Sequence, residues 1–222
     1  MLTCSNINKS FTLDASARKE NILIDINLVI KEKSLTALKG PSGSGKSTLL
    51  NLICGLDKVS SGNIIFNDLE ITKMSINQLC AFRNKNIGIV FQFFNLINDL
   101  TVFENISLPL ALSNEKKSTI TRKTNEMISR LGLWDRRTFK TNLLSGGEAQ
   151  RVAIGRSLIT RPRLILADEP TGNLDKANSK KILELLIESC KLYDSSLLLV
   201  THDENLLPYF DNILELESGR IK

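Results

Sequence analysis

The sequence predicts an α/β protein, a parallel sheet covered by helices with a helical lobe inserted. Three observations carry that reading. Short, wholly apolar runs at 164–167 and 197–200 have the composition of strands buried on both faces. Between them, 177–192 places Ile182, Leu185, Leu186 and Ser189 on one helical face. An apolar run at 35–38 ends in a glycine-rich turn, and Leu49, Leu50, Leu52 and Ile53 follow at helical spacing.

The remaining elements are read in chain order. Branched and aliphatic residues at 22–30 predict a strand, and 34–39 predicts another that stops at Gly40. A helix begins near Ser47. The turn signal Ser60-Ser61-Gly62 precedes a strand at 63–67, and 87–92 reads as a further strand. From about 95 to 160 the pattern is mostly helical, with polar stretches at 113–125. Residues 213–221 read as two small strands around Ser218-Gly219. No repeat or linker divides the chain, so 1–222 is expected to form a single domain with its helical lobe at about 95–160.

Composition narrows the function classes. Of 222 residues, 42% are hydrophobic and 24% charged, which excludes a mostly disordered chain. No apolar run approaches the roughly 18–20 residues needed to cross a bilayer, and no export signal is visible in residues 1–11. Four cysteines lie far apart without a C-x-x-C pair, and the chain has one histidine, so neither a disulfide framework nor a zinc site is expected. Reduced thiols fit a cytosolic compartment. The formal charge of +5 comes from scattered lysines and arginines, the pattern of a solvated surface rather than a nucleic-acid face.

The strongest local signal is Gly40-Pro41-Ser42-Gly43-Ser44-Gly45-Lys46-Ser47-Thr48, which fits G-x-x-x-x-G-K-[ST]. Glycines let successive amide N–H groups turn toward one phosphate and allow it close to the backbone. The start of the following helix adds the positive end of its dipole. Lys46 supplies a full charge for the β- and γ-phosphates, and the Ser47 hydroxyl suits Mg²⁺. The alternative, a Gly/Ser turn that merely caps a helix, leaves the lysine in register unexplained.

Two further strand ends carry polar groups. Leu164-Ile165-Leu166-Ala167 runs into Asp168-Glu169, at the edge where open α/β sheets bind ligands. Asp168 is placed to hold Mg²⁺ through water, and Glu169 to polarise the water that attacks a γ-phosphate. A capping pair before Pro170 is the bland alternative. His202 follows the apolar run 197–200 at the same kind of edge and is a candidate γ-phosphate contact.

Leu144-Ser145-Gly146-Gly147-Glu148, followed by Gln150-Arg151, has S-x-x-E capping-box spacing. Capping alone leaves two consecutive glycines unexplained, each worth about 1 kcal/mol against alanine inside a helix. This segment resembles the signature motif of the ATP-binding-cassette (ABC) ATPases, and the other motifs of that family follow in order along essentially the whole chain. The resemblance implies a P-loop core with an N-terminal antiparallel β subdomain and an inserted helical subdomain. It implies an ATPase with ATP and Mg²⁺ as cofactors. Phe11 stands where the family stacks an aromatic ring, often tyrosine, on adenine. Gln92, read as ending a strand, matches the Q-loop glutamine that contacts Mg²⁺ and water. Gly172-Asn173-Leu174-Asp175 resembles the D-loop, with Asp175 reaching across a dimer, and Thr201-His202-Asp203 matches the switch histidine.

In the family, ATP lies between the P-loop of one subunit and the signature of another. Ser145, Gly146, Gly147 and Glu148 are therefore expected to meet ATP in trans, and a second ATPase subunit is expected as partner. The segments 89–105 and 167–175 are similar to a narrower group: the bacterial ATPases of lipoprotein release, of macrolide efflux and of a division-associated complex. That likeness implies separate membrane subunits and a peripheral place on the cytoplasmic face of the inner membrane. Phe93, Phe94 and Phe103, in a region expected to be exposed, are candidates for the membrane-subunit contact, with core packing as the alternative. A cell-division regulator without cargo and a soluble nucleic-acid-associated ATPase are the competing functions. The spacing from Lys46 to Ser145 leaves no room for the long insert of DNA-repair relatives. Departures from the pattern are Phe11 without a hydroxyl, Thr141-Asn142-Leu143 before the signature, Ala149, and Gly155 where alanine is commoner.

Overall fold

The computed structural model describes residues 1–12, 19–113 and 115–222. In order, the chain forms β1 (Leu2–Thr12), β2 (Lys19–Ile30), β3 (Leu35–Lys39), α1 (Lys46–Ile53), β4 (Ser61–Phe66), β5 (Leu69–Glu70), α2 (Ile76–Asn86) and β6 (Ile87–Val90). It continues through α3 (Val102–Ala111), α4 (Lys117–Arg130), α5 (Gly146–Leu158), β7 (Leu164–Asp168), α6 (Lys176–Leu192), β8 (Ser196–Val200), β9 (Asn212–Glu217) and β10 (Arg220–Ile221). Two compact units result: 1–83 with 196–222, and 84–195.

The first unit holds an antiparallel sheet ordered β2-β1-β4-β5 and the strand that leads into the glycine-rich loop. That strand, β3, runs parallel to both β8 and β9, so it is buried between neighbours and its residues Leu35, Ala37 and Leu38 are apolar and inaccessible. The sequence reading missed β1. Its inward residues Leu2, Cys4 and Ile7 break the alternation expected of a strand. The break is a bulge at Asn6, which takes φ +52 opposite Asp25, also at φ +52, and donates from Nδ2 to the Asp25 carboxylate at 2.8 Å. Helix α2 was missed for a related reason: Phe82, edge-on to Phe66 at 5.1 Å, is its one buried residue, while Ile76 is largely exposed.

The second unit pairs β6 with β7 in parallel and contains α3, α4 and α5, the inserted helical part, together with α6. The predicted helical region 95–160 begins with a turn; its first helix starts at Val102, where Thr101 and Glu104 form a capping box. Fully buried Asn105 holds that turn, accepting from the Ile97 N–H and donating to the Ile97 and Leu100 carbonyls. Gly155 has a packing reason: a Cβ there would lie 2.5 Å from Leu131 Cδ1 and 3.2 Å from Ile106 Cδ1. Burial holds the thiols of Cys4 and Cys190 up at about 12, so both are protonated and inert at neutral pH. Among the described residues no helix is long and apolar enough to cross a membrane.

Strand β6 lies against the backbone of α5. A Cβ on Gly88 would sit 2.3 Å from the Ser157 carbonyl oxygen, a backbone atom that cannot step aside as a side chain can. Gly88→Ala is expected to lower stability by about 1–3 kcal/mol, read as a fall in the thermal or urea midpoint.

Candidate functional site

In the first unit the loop 40–48 is built from backbone conformations that L side chains avoid. Gly43 and Gly45 take φ +79 and +104, and the space beside Gly43 is open. Helix α1 starts directly after this turn with Gly45 in the left-handed region. No side chain caps it and no acidic residue occupies its first turn. Its outward amides are therefore free of any internal anion. Lys46, 7% exposed, folds back to donate to the Gly40 and Pro41 carbonyls, both at 2.8 Å. Ser44 Oγ is buried without a hydrogen-bond partner. Helix dipole, ammonium and orphan hydroxyl together make a receptor for a phosphate group.

Beside the loop, a cleft of about 290 Å³ is lined by Gly40, Pro41, Thr201 and His202, with Lys39 and Glu215 at its side. His202 is exposed, two residues beyond β8, as expected for a strand-end group. The segment that carries it is held by the Thr201 N–H on the Leu38 carbonyl and the Asp203 N–H on Thr201 Oγ1. Phe11, near the end of β1, is 43% exposed, and the Lys9 ammonium lies 4.6 Å from its ring centroid. Loop, histidine and aromatic residue thus all lie in the first unit.

The second unit assembles the other predicted residues. Asp168 ends β7 and Glu169 follows in the left-handed region at φ +44, a strained conformation for a side-chain-bearing residue. The Gly172 N–H donates to the Glu169 carbonyl at 3.0 Å. Gln92 does not end a strand: β6 stops at Val90, and Gln92 stands in the turn beyond it. Its carbonyl accepts from Asn173 Nδ2 at 2.9 Å, and a Cβ on Gly172 would come within 2.9 Å of its Nε2. The Q-loop and D-loop candidates are therefore in contact. Phe94 and Asn95, at φ +60 and +47, turn the chain next. Arg156 clamps that turn, donating to the Phe94 and Asn95 carbonyls at 3.0 and 2.7 Å, and burial lowers its pKa. Of the three phenylalanines expected to be exposed, Phe93 is 72% accessible, whereas Phe94 and Phe103 are half-buried.

Ser145 begins α5 with the full capping box. Its hydroxyl donates to Glu148, and Glu148 accepts the Ser145 N–H. Arg136, which sequence reasoning missed, completes the arrangement by donating to the other Glu148 oxygen at 3.1 Å. The capping and signature readings thus fall on the same residues. What capping does not account for is the glycines. The nearest atom to a Cβ on Gly146 would be 3.6 Å away and on Gly147 3.9 Å, so among the described residues nothing requires either to be glycine. Asp175 caps α6 by accepting the Asn178 N–H at 3.0 Å.

For a metal, the candidate oxygen donors are Ser47, Gln92 and Asp168. Among the described residues no cluster of three His, Cys, Asp or Glu side chains could hold an ion unaided. That donor chemistry fits Mg²⁺, which is held by few protein oxygens together with substrate phosphates and water.

The model of the ABC transporter family matches residues 23–172. Among solved structures, the chain is similar to the ATP-binding cassette MJ0796 in a dimeric post-hydrolysis state bound to ADP and Pi, at 35% identity and TM-score 0.91, covering all of this chain and 97% of that one. It is similar to a second dimeric structure of MJ0796, described as a bacterial ABC transporter cassette, at 36% identity, TM-score 0.91 and the same coverage. It also resembles cbiO1 from Clostridium perfringens, part of the ABC transporter complex cbiONQ, at 30% identity and TM-score 0.88, covering all of this chain and 86% of that one.

The Ser145 N–H holds the Glu148 carboxyl below the usual glutamate range, aided by the Ser145 hydroxyl and Arg136. A lowered folded-state pKa contributes stability above the unfolded value of about 4.3. That contribution is lost as pH falls through the lowered folded value. The stability gap between the parent and Glu148→Gln, followed by urea melts over a pH series, is expected to be widest near neutrality and to close on acidification.

Proposed function

The chain belongs to the ABC transporter family, as an ATP-binding subunit with ATPase activity, and from that premise we propose that two copies of it clamp ATP between them to drive separate membrane subunits. Residues 40–48 of one copy receive the phosphates, with Lys46 exchanging its loop carbonyls for phosphate oxygens, and Phe11 stacks on adenine. Ser145, Gly146, Gly147 and Glu148 of the other copy close over the same nucleotide, with Asp175 beside them. The observation that carries this reading is the pair of glycines at the α5 N-terminus, which the packing of a single chain leaves without a reason. A phosphate brought by a second copy supplies one, because a helix N-terminus stripped of Cβ atoms lets an anion reach its amides.

Ser47, Gln92 and Asp168 would hold Mg²⁺, which neutralises charge on the phosphates when bound. Glu169 orients and polarises the attacking water, and His202 contacts the γ-phosphate. The γ-phosphate is the ligand both copies share, so its arrival closes the interface and its hydrolysis removes the bridge. Phe93 and its half-buried neighbours Phe94 and Phe103 form the contact with the membrane subunits, at the peripheral cytoplasmic face of a bacterial inner membrane. The likeness of 89–105 and 167–175 to the lipoprotein-release and efflux group supports a complex of that type.

Lys46→Ala is expected to abolish measurable ATP affinity in calorimetry. Glu169→Gln retains ATP binding, loses about 10²–10⁴-fold in turnover, and accumulates a nucleotide-dependent dimer in size-exclusion chromatography; full turnover removes Glu169 as the base. Charging Phe93 and Phe94 together abolishes co-purification with membrane subunits while leaving ATP affinity at the parent value.

A further inference from the structure

Gln150 lies one turn into α5 and is fully buried. Its Nε2 donates to the Pro170 carbonyl at 2.6 Å, while its Oε1 is buried with no hydrogen-bond partner. An apolar side chain of similar shape, such as methionine, would fill the same volume without an orphaned acceptor, so packing is no account of a glutamine here. What the amide does that methionine cannot is grip one carbonyl, and that carbonyl belongs to the residue after Glu169.

The grip reaches Glu169 through stiff chemistry. Between the Glu169 Cα and the Pro170 oxygen, the peptide torsion is rigid and the ring locks the proline φ. Two soft torsions remain, ψ of Glu169 and ψ of Pro170, and the Gln150 bond restrains the second. The Glu169 carbonyl itself accepts from Gly172 at 3.0 Å and restrains the first, so the residue at φ +44 is tied through two successive carbonyls on its C-terminal side. We infer that Gln150 is a positioning residue for ATP hydrolysis, acting through the Glu169–Pro170 turn to hold the base carboxylate in line with the attacking water. The inference rests on Glu169 being that base.

The test compares steady-state ATP hydrolysis and melting of the parent, Gln150→Met, Glu169→Gln and the double variant. Gln150→Met is expected to lose about 10- to 100-fold in kcat, the scale of a misplaced catalytic group, with KM for ATP unchanged and a melting midpoint at or above that of the parent. In the Glu169→Gln background it is expected to cause no further loss in the residual rate, since the group it positions is gone. Parent-like kcat in Gln150→Met overturns the inference, as does an equal loss in both backgrounds, or a loss of kcat that comes only with a lowered midpoint and raised KM. Full turnover by Glu169→Gln overturns the reading of the base itself, which a parent-like Gln150→Met beside an inactive Glu169→Gln does not. Pro170→Ala, which frees φ, reads the same linkage from the other side: kcat falls at constant KM, and parent-like kcat counts against the inference.

Discussion

The amides at the start of a helix must be met by something, and how each helix of this chain meets that demand decides where its chemistry lies. Helices α3, α5 and α6 answer with their own side chains: Thr101 with Glu104, Ser145 with Glu148, and Asp175. Helix α4 begins without a side-chain cap, but its first turn is open to water. Helix α1 also lacks one, and there Lys46 stands in the first turn where α3 and α5 carry a glutamate. A lysine in that turn, with the glycine-rich loop ahead of it, turns a helix start into an anion receptor. The strand order serves that receptor, since β3 delivers the loop from between two parallel neighbours and β8 brings His202 to the same cleft.

Much of this was legible in the sequence because the signals are local. The loop 40–48, the strands at 164–168 and 196–200 and the helix before the latter are each defined by spacing within a dozen residues. The misses have a common physical cause. Strand β1 hides behind a bulge whose partner, Asp25, is far along the chain. The mostly apolar run 87–92 reads as one strand through Gln92, yet β6 and its pairing with β7 end at Val90. Arg136, Gln150 and Arg156 look like surface polar residues in a one-dimensional reading. Only folding reveals that one neutralises Glu148, one grips Pro170 and one clamps the turn after Gln92.

In the second unit, three strained residues stand next to groups held by α5 or by a neighbouring amide. Phe94, Asn95 and Glu169 all take left-handed conformations, and each stands beside a side chain or amide that holds it there. Such backbone persists only where its surroundings over-determine it. Arg156 and Gln150 both project from α5, so the helix that begins with Ser145 is also the brace for the turn after Gln92 and the turn after Glu169. Three segments distant in sequence share one support.

The inward fold of Lys46 has a consequence for selectivity. Two of the three N–H donors of its ammonium are already given to carbonyl oxygens of its own loop, so an incoming anion competes in part with the protein itself. A small, weakly charged solute gains little from such an exchange. A polyphosphate tail, offering several oxygens at once, replaces the broken bonds more fully, so the resting loop favours it over orthophosphate or chloride.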